Sequence, residues 1–125
     1  MLEPESQVEA YEMLRVVIRR VRPEKESRLR AWLAELNARA EEVRETFRDE
    51  TVRAEQAYIV PGDRRPLLVY AMEAEDFEHG AKAFASSRHK IDTEHREVMR
   101  DCLAESLELS PLYDVALRST RRGKK

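Results

Sequence analysis

The chain contains three histidines, and two of them share one short segment with carboxylates: His89-Lys90-Ile91-Asp92-Thr93-Glu94-His95. Imidazole and carboxylate groups are the common acids and bases of enzymes, and they also ligate metals. On a helix that begins near Asp92, Asp92 and His95 stand three apart on one face, with His89 on the loop before them. Chemistry here would be proton transfer, with His95 as acid/base, Asp92 or Glu94 as its orienting carboxylate and His89 beside the substrate. The spacing His-x2-Asp-x2-His is no zinc signature, because a third protein ligand would have to come from elsewhere. No metal and no cofactor is expected. A structural role competes for the same residues: Asp92 as helix N-cap, Glu94 at the positive helix end, and His95 where a capping partner sits.

Tyr58 and Tyr70 are the second set. Both fall within extended, apolar stretches, where a phenol needs a hydrogen-bond partner or a ligand to hold. The loop Ser86-Ser87-Arg88-His89-Lys90 offers hydroxyls and a guanidinium before a helix start, which suits a carboxylate or phosphate only weakly. Hydride transfer is excluded as a reading, because the chain has no Gly-rich dinucleotide loop. Trp32 and Cys102 lie on apolar helix faces and read as core; His79 reads as solvated.

These side chains must be positioned by elements whose order is legible. Leu14 to Val21 is rich in β-branched residues and predicts a strand. Pro23 then suits a first helical turn, and Leu29, Trp32, Leu33, Leu36, Ala40, Val43 and Phe47 form one apolar stripe. A helix over about 24–49 would be about 39 Å long at 1.5 Å per residue, so it must bend, overhang or pack on a later element. A second strand is expected over Thr51–Val60 and a third over Leu67–Met72, joined by the turn Pro61-Gly62-Asp63-Arg64-Arg65-Pro66. Asp76 is the N-cap expected for a short helix carrying Phe77, Ala81 and Phe84. A further helix from Asp92 buries Val98, Met99, Cys102 and Leu103. Leu109 to Leu117 reads as the last strand, with Pro111 favouring an edge. Arg15, Arg19, Arg20 and Arg22 crowd the first strand and are expected to pair with acids across the sheet.

The order β-α-β-β-α-α-β implies an α+β, ferredoxin-like fold: an antiparallel four-stranded sheet with helices on one face. In Leu67 to Met72 both alternating faces are apolar, although helices cover only one of them. The other face is expected to meet a second copy of the chain. On the strand and helix order and the His89–Val98 segment, the chain resembles the dimeric α/β-barrel superfamily, and more narrowly a small bacterial family of unknown function. The resemblance spans roughly residues 13–117. It implies a homodimer whose sheets close on each other, and it leaves the chemistry open.

Composition bounds the remaining choices. The chain has 125 residues, 42% hydrophobic and 38% charged, with a net charge of -2. That supports one domain, expected at residues 13–118, between an acidic extension (1–12, or the product of an upstream start codon) and a basic tail (119–125). No apolar run is long enough to span a bilayer, so no membrane partner is expected. Near-neutral charge draws the protein to no polyanion, and the third strand lacks the aromatic pattern of RNA-recognition modules, so no specific nucleic-acid partner is expected. A single cysteine and no visible signal peptide make the cytoplasm the default compartment. The function expected is a homodimer that binds or transforms a small organic molecule in a sheet-lined cavity. The alternative is a structural or regulatory homodimer without a ligand.

Overall fold

The β-branched run Val16-Val17-Ile18 lies in strand β1 (Leu14–Val21), which sits centrally in the sheet. A 3-10 turn at Pro23–Lys25 leads into helix α1 (Glu26–Ala38), then α2 (Ala40–Glu50), β2 (Val52–Val60), β3 (Leu67–Ala74), α3 (Phe77–Ser86), α4 (Lys90–Cys102) and β4 (Leu103–Leu107). This computed structural model describes residues 14–62 and 65–117. The acidic extension, turn residues Asp63 and Arg64, and the basic tail lie outside the described residues. The strand order is β2-β3-β1-β4, with every neighbouring pair antiparallel. The architecture is α+β and compatible with the ferredoxin-like arrangement. No described helix is long and apolar enough to cross a membrane.

The expected long helix bends. Arg39 leaves helical geometry at φ −110°, ψ 38°, dividing the apolar stripe between α1 and α2. Its guanidinium bridges Glu42, one turn on, and Glu94 on α4, at 2.9–3.1 Å. The stripe then serves two neighbours: α1 packs on α4, and α2 on α3. Leu29 and Trp32 of α1 join Val21, Leu68, Ile91, Val98, Cys102 and Leu103 in the buried core.

Two sequence expectations are corrected. The last strand is Leu103–Leu107, directly after α4 without a loop, whereas Leu109 to Leu117 forms no strand and is exposed. Leu103 pairs with Val21 and Leu107 with Ile18, so the short run that reads as helix continuation is captured by the free edge of β1. The N-cap of α4 is His89, with Asp92 inside the first turn, its N–H donating to the His89 carbonyl at 3.1 Å. The expected N-cap of α3 is present: Asp76 Oδ1 accepts from the His79 N–H at 3.0 Å.

The sheet has two unlike faces. Along β3, Leu68, Tyr70, Met72 and Ala74 turn toward the helices. Leu67, Val69 and Ala71 alternate to the other side, beside Arg20, Ile18 and Val16 of β1. On that outer face Val16 is 58% exposed and Tyr58 52% exposed. Arg20 there pairs with Glu105 of β4 at 2.8 Å, an ion pair between neighbouring strands as expected of the β1 arginines.

Candidate functional site

Between the inner sheet face and the helices lies a cavity of about 370 Å³. Its wall is chiefly apolar, with Val17, Met72, Phe47, Phe77, Phe84 and Met99 contributing from β1, β3 and all helices except α1, while α1 supplies Leu36. Ligand cavities of this size are commonly apolar with a few converging polar groups. The polar groups here are Arg15 and Arg19 (β1), Thr46 and Glu50 (α2), Glu55 (β2), Tyr70 (β3), and Asp92 and His95 (α4).

His95 is held on both ring nitrogens. Trp32 Nε1–H donates to His95 Nδ1 at 2.8 Å. Indole N–H is only a donor, so Nδ1 carries no proton and the neutral ring bears its hydrogen on Nε2. Nε2 faces the Tyr70 hydroxyl at 3.1 Å. Tyr70 therefore accepts from His95 and its own O–H is left to donate, with Met99 Sδ at 3.6 Å as the partner present. Burial pushes His95 down to about 4, so it is neutral at pH 7. Burial likewise raises the Tyr70 phenol well above its ordinary value, with Glu55 adding to the rise and Arg19 opposing it. This wall of the cavity presents a neutral hydroxyl donor fixed by an imidazole, and the imidazole is fixed by an indole.

The carboxylates form the second polar group. Glu50 ends α2, and its position is determined by two local features. Thr51 is left-handed at φ 60°, a strained geometry for a β-branched residue. It is retained by three hydrogen bonds: Glu75 N–H to the Thr51 carbonyl at 3.0 Å, Asp76 N–H to Oγ1 at 3.1 Å, and Oγ1–H to the Asp76 carbonyl at 3.3 Å. Gly80 on α3 lets that helix approach closely, since a Cβ there would lie 2.7 Å from the Glu50 carbonyl oxygen. Burial, followed by the negative charges of Asp92, Glu55 and Asp49, pushes Glu50 up to about 8, and a shared hydrogen bond with Asp92 acts in the same direction. The C-terminal end of α2 also disfavours a carboxylate on Glu50. Glu50 therefore holds its proton at pH 7.

Asp92 is 6% exposed, and its Oδ2 has no hydrogen-bond donor among the described residues. Glu55 touches solvent at the cavity mouth, yet the protein around it and the charge of Asp92 push its carboxyl up to about 7. Sequence reasoning missed Glu50 and Glu55. Both had a signal: Glu50 continues the apolar spacing Val43, Phe47, and Glu55 falls on the same alternate positions as inward-facing Ala57 and Ile59.

Of the residues singled out in the sequence, the structure brings Asp92, His95 and Tyr70 to the cavity and leaves the others elsewhere. Tyr58 is corrected to the outer sheet face, where its hydroxyl donates to Gln56 at 2.9 Å. Its pairing with Val69 sets it on the side opposite Tyr70. His89 bonds Asp49 at 2.8 Å on the surface; that hydrogen bond raises its pKa. Glu94 is held by Arg39 and Lys90 and points away from His95, lining a shallow hollow between α1 and α4. That hollow is larger, about 420 Å³, but it is open to solvent and its Arg28 and Glu94 already pair with Asp101 and Arg39. The polar groups of the Ser86–Lys90 loop are taken up by the protein: Ser86 Oγ donates to the Lys82 carbonyl at 2.9 Å, and His89 N–H donates to Ser87 Oγ at 3.1 Å. Among the described residues no group of three His, Cys, Asp or Glu side chains is arranged to hold a metal ion.

The fold and this site define an α+β protein whose antiparallel sheet and helices enclose a mostly apolar cavity with two polar walls. Residues 12–120 match the model of a family of unknown function (DUF6176), and the chain belongs to that family. No curated protein and no solved structure matches the chain.

Proposed function

We propose that this protein is a homodimer that binds or transforms a small organic molecule in the cavity between its sheet and helices. The observation that carries the reading is the cavity itself: about 370 Å³ of chiefly apolar space into which Tyr70, His95, Glu50 and Asp92 are built as polar groups. A core that existed only for stability would fill such a volume, because each unfilled methyl-sized space costs about 1 kcal/mol. In this reading Tyr70 donates a hydrogen bond to the bound molecule, His95 positions Tyr70, and the Glu50–Asp92 pair accepts or supplies a proton. His95 takes the acid/base role assigned from sequence only in exchange with Tyr70, through Nε2, since Trp32 occupies Nδ1.

The homodimer is supported by the outer sheet face, where Leu14, Val16, Tyr58 and Val60 are each 45% exposed or more beside Ile18 and Val69. Contiguous apolar patches on this scale are characteristic of association surfaces. A sheet-to-sheet dimer would give the arrangement of the dimeric α/β barrels. The same face favours the second reading, a homodimer without a ligand.

Trp32 is the chain's single tryptophan and contacts the cavity through His95, so its fluorescence reports filling of the site. Saturable change with 2-phenylethanol, lost in a Tyr70→Phe, Met72→Phe double variant that removes the donor and fills the space, supports the ligand reading. A sedimenting dimer whose Trp32 emission responds to no small aromatic or aliphatic alcohol supports the second reading instead.

A further inference from the structure

Among the described residues two buried side-chain polar atoms lack any hydrogen-bond partner, Asp92 Oδ2 and Arg19 Nε, and both residues line the same cavity. One is an acceptor and the other a donor. Leaving such groups unsatisfied in a folded interior costs on the order of 1–3 kcal/mol each, so a pair of them on one cavity marks interactions completed by something else.

We propose that the molecule held in this cavity is an amphoteric amine: an apolar body, an ammonium group received by Asp92 with Glu50, and an oxygen acceptor received by Arg19. This rests on the ligand reading above and names the chemical class of its ligand.

The acid side is organised for a cation. Asp92 is buried at the N-terminal turn of α4 with no donor on Oδ2, and Glu50 shares its proton with the Asp92 carboxyl. An ammonium supplies up to three N–H donors to these two carboxyls and replaces the shared proton, which leaves to solvent. The metal alternative has no support, because no three-ligand group is present among the described residues. Arg19 anchors one guanidinium nitrogen, Nη2, on the Ala104 carbonyl at 2.8 Å and keeps Nε–H within the protein for an oxygen acceptor. Arg15, the other cation of the cavity, lies with its guanidinium 4.3 Å from the centre of the Phe77 ring. Phe47, Phe84 and Met99 of the same cavity supply an apolar surface.

The charged and titratable groups on this cavity are Arg15 and Arg19 from β1, Glu55 from β2, Tyr70 from β3, Glu50 from α2 with Asp49 beside it, and Asp92 and His95 from α4. His95 is neutral at pH 7 and Tyr70 stays protonated, so the proton exchanged on binding comes from the carboxyls.

Four probes of nearly one shape test the proposal by calorimetry at pH 7: phenylalanine, phenethylamine, 3-phenylpropanoate and 2-phenylethanol. Phenylalanine should bind at least about tenfold more tightly than 2-phenylethanol, and phenethylamine and phenylalanine should release protons, read as a heat that varies with the buffer's ionisation enthalpy. Asp92→Asn should reduce the two amines to the level of their uncharged or anionic counterparts while leaving 3-phenylpropanoate unchanged. Arg19→Gln should weaken 3-phenylpropanoate and phenylalanine and spare phenethylamine; circular dichroism of both variants checks that they fold. Equal binding of 2-phenylethanol and phenylalanine would overturn the amphoteric assignment while leaving the cavity reading intact. Absence of saturation by all four at millimolar concentration would overturn both.

Discussion

The two faces of the sheet are built from similar residues and meet opposite environments. Inside, Leu68 and Ala74 of β3 are fully buried and Tyr70 is tied through His95 to Trp32. Outside, the same strand presents Leu67, Val69 and Ala71 beside Val16 and Tyr58, which are more than half exposed. Apolar content alone therefore does not distinguish the cavity wall from the outer face. What separates them is the polar chemistry: the inner face holds hydrogen-bonded networks and two unsatisfied atoms, and the outer face holds the Arg20–Glu105 ion pair and the Tyr58–Gln56 hydrogen bond. Substitutions on the inner face should alter stability and binding together, whereas those on the outer face should alter association alone.

The largest effect is expected at His95. Its replacement by alanine removes the acceptor of the Trp32 N–H and the donor to Tyr70 and enlarges the cavity, so unfolding in urea should show a loss of about 3–4 kcal/mol. A loss under about 1 kcal/mol would mean that the imidazole is not a structural hub. Gly80→Ala comes next: its Cβ would lie 2.7 Å from the Glu50 carbonyl, a backbone atom, and should cost about 1–3 kcal/mol and displace Glu50. The check is a thermal midpoint together with a weakened response to amine ligands.

The pH dependence sharpens the contrast further. Glu50 and Glu55 are raised in the folded state, to about 8 and about 7, so their contribution favours folding below the ordinary carboxylate range, near 4, and is lost as pH rises toward 8. His95 is lowered to about 4, so its contribution is present above about 6.5 and is lost as pH falls toward 4. Above pH 6.5 the carboxyl contribution is still being lost, and that of His89, raised by its bond to Asp49, is lost in the same direction, so stability should decline between pH 6.5 and 8. Glu50→Gln should flatten that decline in denaturant melts; an unchanged slope would mean that Glu50 ionises freely. The smallest effect on the fold is expected outside: Val16→Asp should change monomer stability by less than about 0.5 kcal/mol, as surface substitutions do, while abolishing dimer sedimentation at micromolar concentration.

Local signals made much of the fold legible. β1 and β3 follow their β-branched and apolar runs, and Asp76 caps α3 as its position before Phe77 suggests. Tyr70 and His95 could be named because aromatic and imidazole groups in apolar stretches stand out, but their contact links residues 25 apart and is set by packing. β4 was not legible, because Leu103–Leu107 follows α4 without a turn and becomes a strand only by pairing with β1. Asp92 carries two readings in the sequence, orienting carboxylate and helix cap, since an acid near a helix start serves either role until the neighbouring chain is placed. Glu50 was hidden in the charged run Arg48-Asp49-Glu50, and its meaning depends on the approach of α3 at Gly80 and on Asp92 across the cavity.

Methyl NMR compares the two faces in one experiment. Met72 and Met99 report the inner cavity, and Val16 and Val69 report the outer face. On titration with phenylalanine, saturable shifts of the Met72 and Met99 methyls with Val16 and Val69 unmoved are the expected result. Shifts confined to Val16 and Val69, or none at all, would contradict a ligand site between sheet and helices.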